Sequence, residues 1–345
     1  MTFGDHVLAL DIGGTKLAAG VVGRAGDVRS FVRTPTRVEE GPDTTVKRLL
    51  DLGRDALAEA GHRAEDMAAV GIGCGGPLDP VTGRVQGPPG LPGWDDVPIV
   101  DLVDAAYGRP SFLENDATAA ALGEYHYGRW GDVRQMLYLT VSTGVGGGVI
   151  LDGRLYRGAA GNGGEFGHVV IDWNGRLCGC GQRGCIEAYA SGTSIARRAN
   201  EALATGEASS MREVPVVTAE TVSAHAGRGD ALARHVWDET TAALGRALAV
   251  MINVIEPELV VLGGGVTRAG DALLLPVRRA ALSQAMRPAG AAARVELSAH
   301  GDTVGVVGAA ASAFLHLDGG GRTHDLAERG NRSHRLPPTK EVSSP

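Results

Sequence analysis

Gly163-Gly164-Glu165-Phe166-Gly167-His168, a short apolar run, and then Cys178-Gly179-Cys180-Gly181-Gln182-Arg183-Gly184-Cys185-Ile186-Glu187 hold three of the chain's four cysteines. Cys178, Cys180 and Cys185 fall within eight positions, and His168 lies ten residues before the first of them. One compact loop can therefore offer three thiolates and an imidazole to a tetrahedral ion, a donor set that suits zinc. Four protein ligands leave no open position for water, so such an ion is expected to be structural. A disulfide would leave one of the three cysteines unexplained, and so few cysteines suit a compartment that keeps thiols reduced. Glu165 and Glu187 flank the ligands, and His168 keeps a second ring nitrogen for another partner. Two carboxylates and an imidazole edge match the vicinal hydroxyls of a sugar; the plainer alternative is solvated loop charge.

The chain around this loop has 345 residues, 43% of them apolar, which predicts a sizeable interior split over two domains. Its 52 glycines are about double the usual share, which points to many backbone-lined turns. A formal charge of -7 and the lack of a basic run argue against a nucleic-acid partner. No stretch reaches the ~18–20 apolar residues of a membrane helix, and the first residues lack a secretory pattern, so a cytoplasmic protein is expected.

Residues 7–11 read as a buried strand running into Asp11-Ile12-Gly13-Gly14-Thr15-Lys16, after which residues 17–22 resume as a second strand. Glycines let backbone amides approach anionic oxygens, Thr15 offers a hydroxyl, and Asp11 can hold a hydrated magnesium ion, so the turn is a candidate phosphate cradle. A plain hairpin with a polar tip is the other reading. The Gly-Lys-Ser/Thr ending of a P-loop is absent. Helical spacing follows over residues 43–60 and a strand over 67–73. There Gly71, Gly73 and Gly76 spell a dinucleotide fingerprint, but Pro77 and Pro80 disfavour the helix it requires. That loop, Gly75 included, is better suited to a small ligand touching backbone, while Cys74 is expected to be a small buried residue. Residues 87–98, around Trp94, form a long Pro/Gly-rich loop, either a pocket wall or purely structural. A helix is expected over 97–107 and a strand over 110–113. The chain then reaches Glu114-Asn115-Asp116 and a helix over 117–127, which puts Asp116 at a helix start just past a strand end. Capping alone would explain an aspartate there, although strand ends are also where catalytic residues collect.

A strand over 136–142, a glycine turn over Thr143-Gly144-Val145-Gly146-Gly147-Gly148 and a strand over 149–151 echo the first hairpin. Two such turns can hold one polyphosphate between them. A helix spans 231–255, a strand 258–262 opens on Gly263-Gly264-Gly265 as a candidate contact for a base or ribose, and a small-residue helix covers 302–317. Residues 318–345 read as a disordered tail.

Together these stretches resemble the ROK family of sugar kinases and repressors within the actin-like ATPase superfamily, over residues 7–317. The most specific element is the set His168, Cys178, Cys180, Cys185 followed by Ile186-Glu187. The resemblance implies an α/β fold: two ribonuclease-H-like (actin-like ATPase) domains around a central cleft, with a zinc-binding loop at 165–187. The domains would be 1–115, completed by the helix at about 302–317, and 116–301. It implies ATP with Mg2+ as phosphoryl donor, a structural Zn2+, a hexose acceptor, and a homodimer or homotetramer. Carried over by position, Asp116 is the expected catalytic base, and Gly75, Asn115, Glu165, His168 and Glu187 the sugar contacts. Asp11, Gly13, Gly14, Thr15 and Lys16, with Thr143, Gly144, Gly146 and Gly147, are the expected phosphate contacts, and Gly263, Gly264 and Gly265 lie near adenosine. Two departures bear on the sugar. Glucose-specific members often carry asparagine before Leu-Pro-Gly-Trp where this chain has Pro88-Pro89-Gly90, which puts one hydroxyl contact in question. The Gly-Glu-Phe-Gly-His spelling also occurs in N-acetylhexosamine kinases. Glucose is the expected acceptor, with an amino or N-acetylamino hexose (N-acetylmannosamine, N-acetylglucosamine, kanosamine) as the alternative. The competing classes are a sugar-sensing regulator, whose extra N-terminal helix-turn-helix finds no room before a strand at residue 7, and an inactive sugar-binding protein, which the presence of Asp116 disfavours.

Overall fold

The computed structural model describes residues 4–159 and 161–319. The tail expected from residue 318 lies outside these residues, apart from Asp318 and Gly319.

The first half builds β1 (His6–Ile12), β2 (Lys16–Gly23), β3 (Val28–Pro35), α1 (Pro42–Glu59), β4 (Ala69–Cys74), a small hairpin of β5 (Leu78–Asp79) and β6 (Arg84–Val85), α2 (Ile99–Tyr107), β7 (Ser111–Asn115) and α3 (Asp116–Tyr127). Pro42 opens α1 where its missing N–H costs nothing, and Gly108 ends α2 in the left-handed conformation. The second half contains β8 (Met136–Val141), β9 (Val145–Leu151), β10 (Arg154–Tyr156), α4 (Glu187–Ala190), α5 (Gly192–Ala204), α6 (Ala219–Gly227), α7 (Ala231–Ile255), β11 (Leu259–Gly263), α8 (Asp271–Gln284), α9 (Arg287–Ala292), β12 (Arg294–Leu297) and α10 (Val304–Leu317). Asp230 caps α7 by accepting from the Ala233 amide at 2.9 Å.

The two large sheets repeat one plan. Their orders are β3-β2-β1-β4-β7 and β10-β9-β8-β11-β12. In each, the first three strands form an antiparallel meander and the last two add in parallel. The hairpin echo seen in the sequence thus extends to whole sheets. Strands β1, β4 and β7 end together, with Asp11 beside Gly73 and Gly73 beside Glu114.

Helices α1 and α2 cover one face of the first sheet, where Leu49, Leu57, Ile99 and Val103 meet Leu8, Leu10 and Ile72. Helix α10 covers the other face, packing Val306, Ala309, Ala310 and Phe314 onto Val7, Ala9, Ala18 and Ala69. On the second sheet, α7 and α8 cover one face and α3 the other, where Ala121 and Leu122 join Tyr138, Ile150 and Val261. Each of α3 and α10 therefore leaves one sheet and packs on the other. They cross where a methyl group on Gly308 would stand 2.5 Å from the backbone carbonyl of Ala119, and one on Gly123 would stand 2.9 Å from the Gly308 amide.

Several sequence-derived boundaries change. The glycine turn expected over 143–148 is shorter, because β9 begins at Val145 and only Ser142, Thr143 and Gly144 form the bend. Gly147 and Gly148 are buried within β9 instead. A Cβ on Gly148 would lie 2.6 Å from Ala121 Cβ, and one on Gly147 would lie 2.4 Å from the Phe166 ring, so these glycines admit a helix and an aromatic ring against the strand. Gly263 is likewise the last residue of β11, pressed against the Tyr138 hydroxyl. The last helix starts at Val304 after a 3-10 turn over Gly301–Thr303, and α2 starts at Ile99, one residue past Pro98. After Gly76 the chain enters the β5 hairpin and no helix, so the dinucleotide spelling is accidental. Cys74 is buried, as expected. Trp94, 1% exposed, anchors the 87–98 loop in the first core, and Gly90 of that loop lies against Gly14. Among the described residues, no helix is long and apolar enough to cross a membrane.

Gly308→Ala forces backbone apart at the α3–α10 crossing and should destabilise by roughly 2–3 kcal/mol. A melting temperature lowered by roughly 5–10 °C is expected; an unchanged melt would show that the crossing is not tight.

Candidate active site

Asp116 is the first residue of α3, but it is not the cap. Asn115 is, its Oδ1 accepting from the amides of Ala117 and Thr118, both at 3.1 Å. The capping explanation for Asp116 therefore falls away. Asn115 spends its acceptor on the helix and presents only its amide nitrogen, on the side of Gly76. Asp116 Oδ1 accepts from the Ala117 amide at 2.7 Å, while Oδ2 lies toward Gly75, where even an added Cβ would remain 3.9 Å away.

Asp11, at the end of β1, lies near enough to Asp116 for the two charges to repel. Its carboxylate rests against Gly305 in the first turn of α10, where a Cβ would come within 2.3 Å of Oδ2. Both aspartates keep some accessible surface but are packed round closely enough for burial to dominate their titration. Burial first, then Asp116, pushes Asp11 up to about 7 against the pull of Lys16. Burial also raises Asp116; the Ala117 amide partly offsets this and Glu165 adds to it. Glu165 of the second-half loop is thus near enough for its charge to act on Asp116.

Glu165 precedes a 3-10 turn over Phe166–His168, and its Oε2 lies 3.9 Å from His168 Nε2. The opposite ring nitrogen, Nδ1, is 3.7 Å from Cys178 Sγ. Cys180 and Cys185 have their sulfurs 3.7 Å apart, and all cysteines are free. One ligand atom from each of His168, Cys178, Cys180 and Cys185 lies within 4.8 Å of the others. A tetrahedral ion with thiolate bonds of about 2.3 Å requires sulfurs about 3.8 Å apart; the Cys180–Cys185 separation matches this, and the donor set fits such an ion in chemistry. Glu187 opens α4 beside this cluster. Its Oε1 is 3.9 Å from Cys178 Sγ and its Oε2 accepts from the Val145 amide at 2.9 Å, which ties the cysteine loop to the base of β9.

The β1–β2 turn is closed by Gly13 N–H to Lys16 C=O at 3.0 Å and by the Thr36 hydroxyl on Gly13 C=O at 2.6 Å. Thr15 stands at its tip, and Lys16 is the first residue of β2. The Ser142–Gly144 bend lies next to Gly264 and Gly265: a Cβ on Gly264 would meet Val141 C=O at 2.5 Å, and one on Gly265 would be 4.0 Å from Ser142 Oγ. Gly264 has a φ of 89°, which a side chain would strain. The structure thus brings Asp11, Gly75, Asn115 and Asp116 together at the strand ends of the first sheet, and Glu165, His168 and Glu187 around the cysteine cluster, with Glu165 near enough for its charge to act on Asp116. The Ser142–Gly144 bend runs from Gly265 at Ser142 to Glu187 at Gly144. Gly146 and Gly147 sit in β9 as packing residues. Sequence reading missed Gly305 and the pairing of buried Glu114 with the partly exposed Arg157. The small-residue character of the last helix was the only hint of Gly305.

The sequence profile of the ROK family matches residues 7–314. The chain belongs to the ROK family. A glucokinase of Thermotoga maritima is 35% identical over 88% of this chain and 96% of its own. An N-acetylmannosamine kinase of Salmonella typhimurium is 37% identical over 75% of this chain and 82% of its own. Among solved structures, a ROK family glucokinase from Streptomyces griseus in complex with glucose and AMPPNP is 34% identical, with a TM-score of 0.78 over 88% of this chain and 98% of that one. A ROK family transcriptional regulator, a homologue of the E. coli MLC protein, reaches a TM-score of 0.76 at 26% identity, over 92% of this chain and 80% of that one.

The raised Asp11 carboxyl has a pH signature. Folded protein keeps its proton up to about pH 7, whereas the unfolded chain releases it near 3.8, so stability falls as pH rises across that window. In chelator, Asp11→Asn should melt like wild type near pH 4 and above it by ~3 °C or more at pH 7. A difference independent of pH would contradict this.

Proposed function

We propose that the chain is an ATP-dependent hexose kinase that transfers the γ-phosphoryl group of ATP to the 6-hydroxyl of glucose. The carrying observation is Asp116: freed from capping by Asn115, raised by burial, and within reach of the charge of Glu165, which itself lies beside His168. In this reading Glu165, His168, Glu187, Asn115 and Gly75 orient the sugar. Asp116 Oδ2 accepts the proton of the attacking hydroxyl. The sugar oxygen bonds to the γ-phosphorus, the bond to the β,γ-bridging oxygen breaks, and ADP leaves. Phosphoryl transfer asks mainly for alignment and charge neutralisation, and a buried carboxylate with a raised pKa is a competent base near neutral pH.

Asp11 is the residue assigned to Mg2+, which when bound neutralises phosphate charge. A cation there would relieve the repulsion between Asp11 and Asp116. The turn Gly13, Gly14, Thr15 with Lys16, and the bend at Thr143 and Gly144, are assigned to phosphates, and Gly264 and Gly265 to the nucleoside. His168, Cys178, Cys180 and Cys185 are assigned to a structural Zn2+ that holds His168 Nδ1 and leaves Nε2 toward Glu165. The lobes we infer are residues 4–115 with α10, and 116–301, closing on the sugar between them and excluding water. Family membership supports a homodimer or homotetramer in the cytoplasm. N-acetylmannosamine is the second reading for the acceptor, favoured by the identity to N-acetylmannosamine kinases and by the Gly-Glu-Phe-Gly-His spelling.

ADP release across glucose, mannose, fructose, N-acetylmannosamine, N-acetylglucosamine and 3-amino-3-deoxyglucose tests the reading, with glucose expected to give the highest kcat/KM. Asp116→Asn should lower kcat about 100- to 10,000-fold while sugar binding persists; near-normal turnover would remove Asp116 from its role. Cys185→Ser should lose one equivalent of zinc by elemental analysis and weaken sugar affinity. Retained affinity in metal-free protein would show that the loop stands without the ion.

A further inference from the structure

Glu114 sits in β7 immediately before Asn115 and Asp116, and it is 2% exposed. A carboxylate so buried must be paired, and it is. The Nε and Nη2 groups of Arg157 converge on Oε2 at 3.1 and 2.8 Å, while Oε1 accepts from the Asn115 amide at 3.2 Å. Arg157 follows β10, in the other half of the fold. Its own carbonyl accepts from the Gly163 amide at 2.9 Å, closing the segment that leads directly into Gly164 and Glu165. Gly163 and Gly164 have little freedom to adjust: a Cβ on Gly163 would lie 3.0 Å from Arg157 C, and one on Gly164 would lie 2.5 Å from Gly147 C=O.

A continuous run of bonds therefore joins the proposed base to the proposed sugar loop, from Asp116 and Asn115 through Glu114 and Arg157 to Gly163 and Glu165. Two apolar side chains of similar size would hold the segments together about as firmly, because burying an ion pair yields little net stability. What the charged pair adds is direction: two guanidinium N–H groups on one oxygen allow a narrow range of distance and angle.

We propose that Arg157 and Glu114 are positioning residues for phosphoryl transfer, a strut that sets the placement of Glu165 and His168 relative to Asp116. The inference rests on the kinase reading above. Neither residue touches sugar or nucleotide; each acts through the segment it holds. Loss of the strut lets the sugar bind out of line with the base, so the sugar parameters suffer and the ATP parameters do not.

The experiment is steady-state kinetics of wild type, Arg157→Lys, Arg157→Gln, Glu114→Gln and the double variant Glu114→Gln/Arg157→Gln, all zinc-loaded and checked by circular dichroism and melting temperature. Arg157→Gln is expected to lower kcat about 10-fold or more and to raise the sugar KM about 5-fold or more, with the ATP KM within 2-fold of wild type. The double variant should be no worse than the poorer single variant, because the pair acts as a unit. Arg157→Lys keeps the charge with less directional bonding and should recover stability more fully than kcat. Folded Arg157→Gln or Arg157→Lys with wild-type kcat and sugar KM would overturn the strut. So would a fall in kcat with both KM values unchanged, the mark of a reduced active fraction. If wild type releases no ADP with any hexose of the panel, the kinase reading fails and the strut fails with it. If wild type is active and the variants match it, only the strut fails.

Discussion

The site depends on two helices crossing with almost no space between them. Helix α3 starts at the end of a first-sheet strand and lies on the second sheet; α10 starts after the second sheet and lies on the first. Gly123 and Gly308 allow the backbones to meet, and larger residues at either position would push the helices apart. Each helix meets one of the two central carboxylates at its amino-terminal turn: Asp116 is the first residue of α3, and Asp11 of β1 rests against Gly305 of α10. The carboxylates thus sit on ordered elements, the ends of β1 and β7 in one sheet, and not on a flexible loop. The positive ends of both helices also favour negative charge there.

That placement is electrostatically expensive. Asp116 acts on Asp11 and Glu165 acts on Asp116, and burial outweighs every neighbour for both aspartates. Lys16 is the cation acting on Asp11, and Arg157 is committed to Glu114. Sites that hold charge out of water at a cost to stability are commonly functional. A divalent cation with phosphates, or a proton passed from a hydroxyl, relieves the strain, which is the chemistry the proposed kinase performs.

On the second-half side, order comes from the cysteine cluster. His168, Cys178 and Glu187 are near neighbours, and Glu187 also holds the Val145 amide. The loop that carries Glu165 and His168 is thereby tied to a sheet strand and to the Cys/His cluster.

Much of this was legible in the residues. Spacing alone marked the three cysteines and His168, and strand-like runs ending in glycines marked both hairpins. Helix α7 was expected over residues 231–255 and spans Ala231–Ile255. The errors share one cause. Gly146, Gly147 and Gly263 looked like turn residues because glycine serves both in turns and where backbone or a ring must come close, and only neighbours distant in sequence distinguish the two uses. Capping was offered for Asp116 on paper, and the structure gives that role to Asn115. Glu114 was given no role from the sequence, and its partner Arg157 lies 43 positions away. Local chemistry, being short-ranged, wrote the strands, the turns and the Cys/His cluster into the sequence. Which carboxylates repel, which glycine admits a helix and which arginine pairs with Glu114 depend on contacts between residues far apart in the chain, and only the tertiary structure decided them.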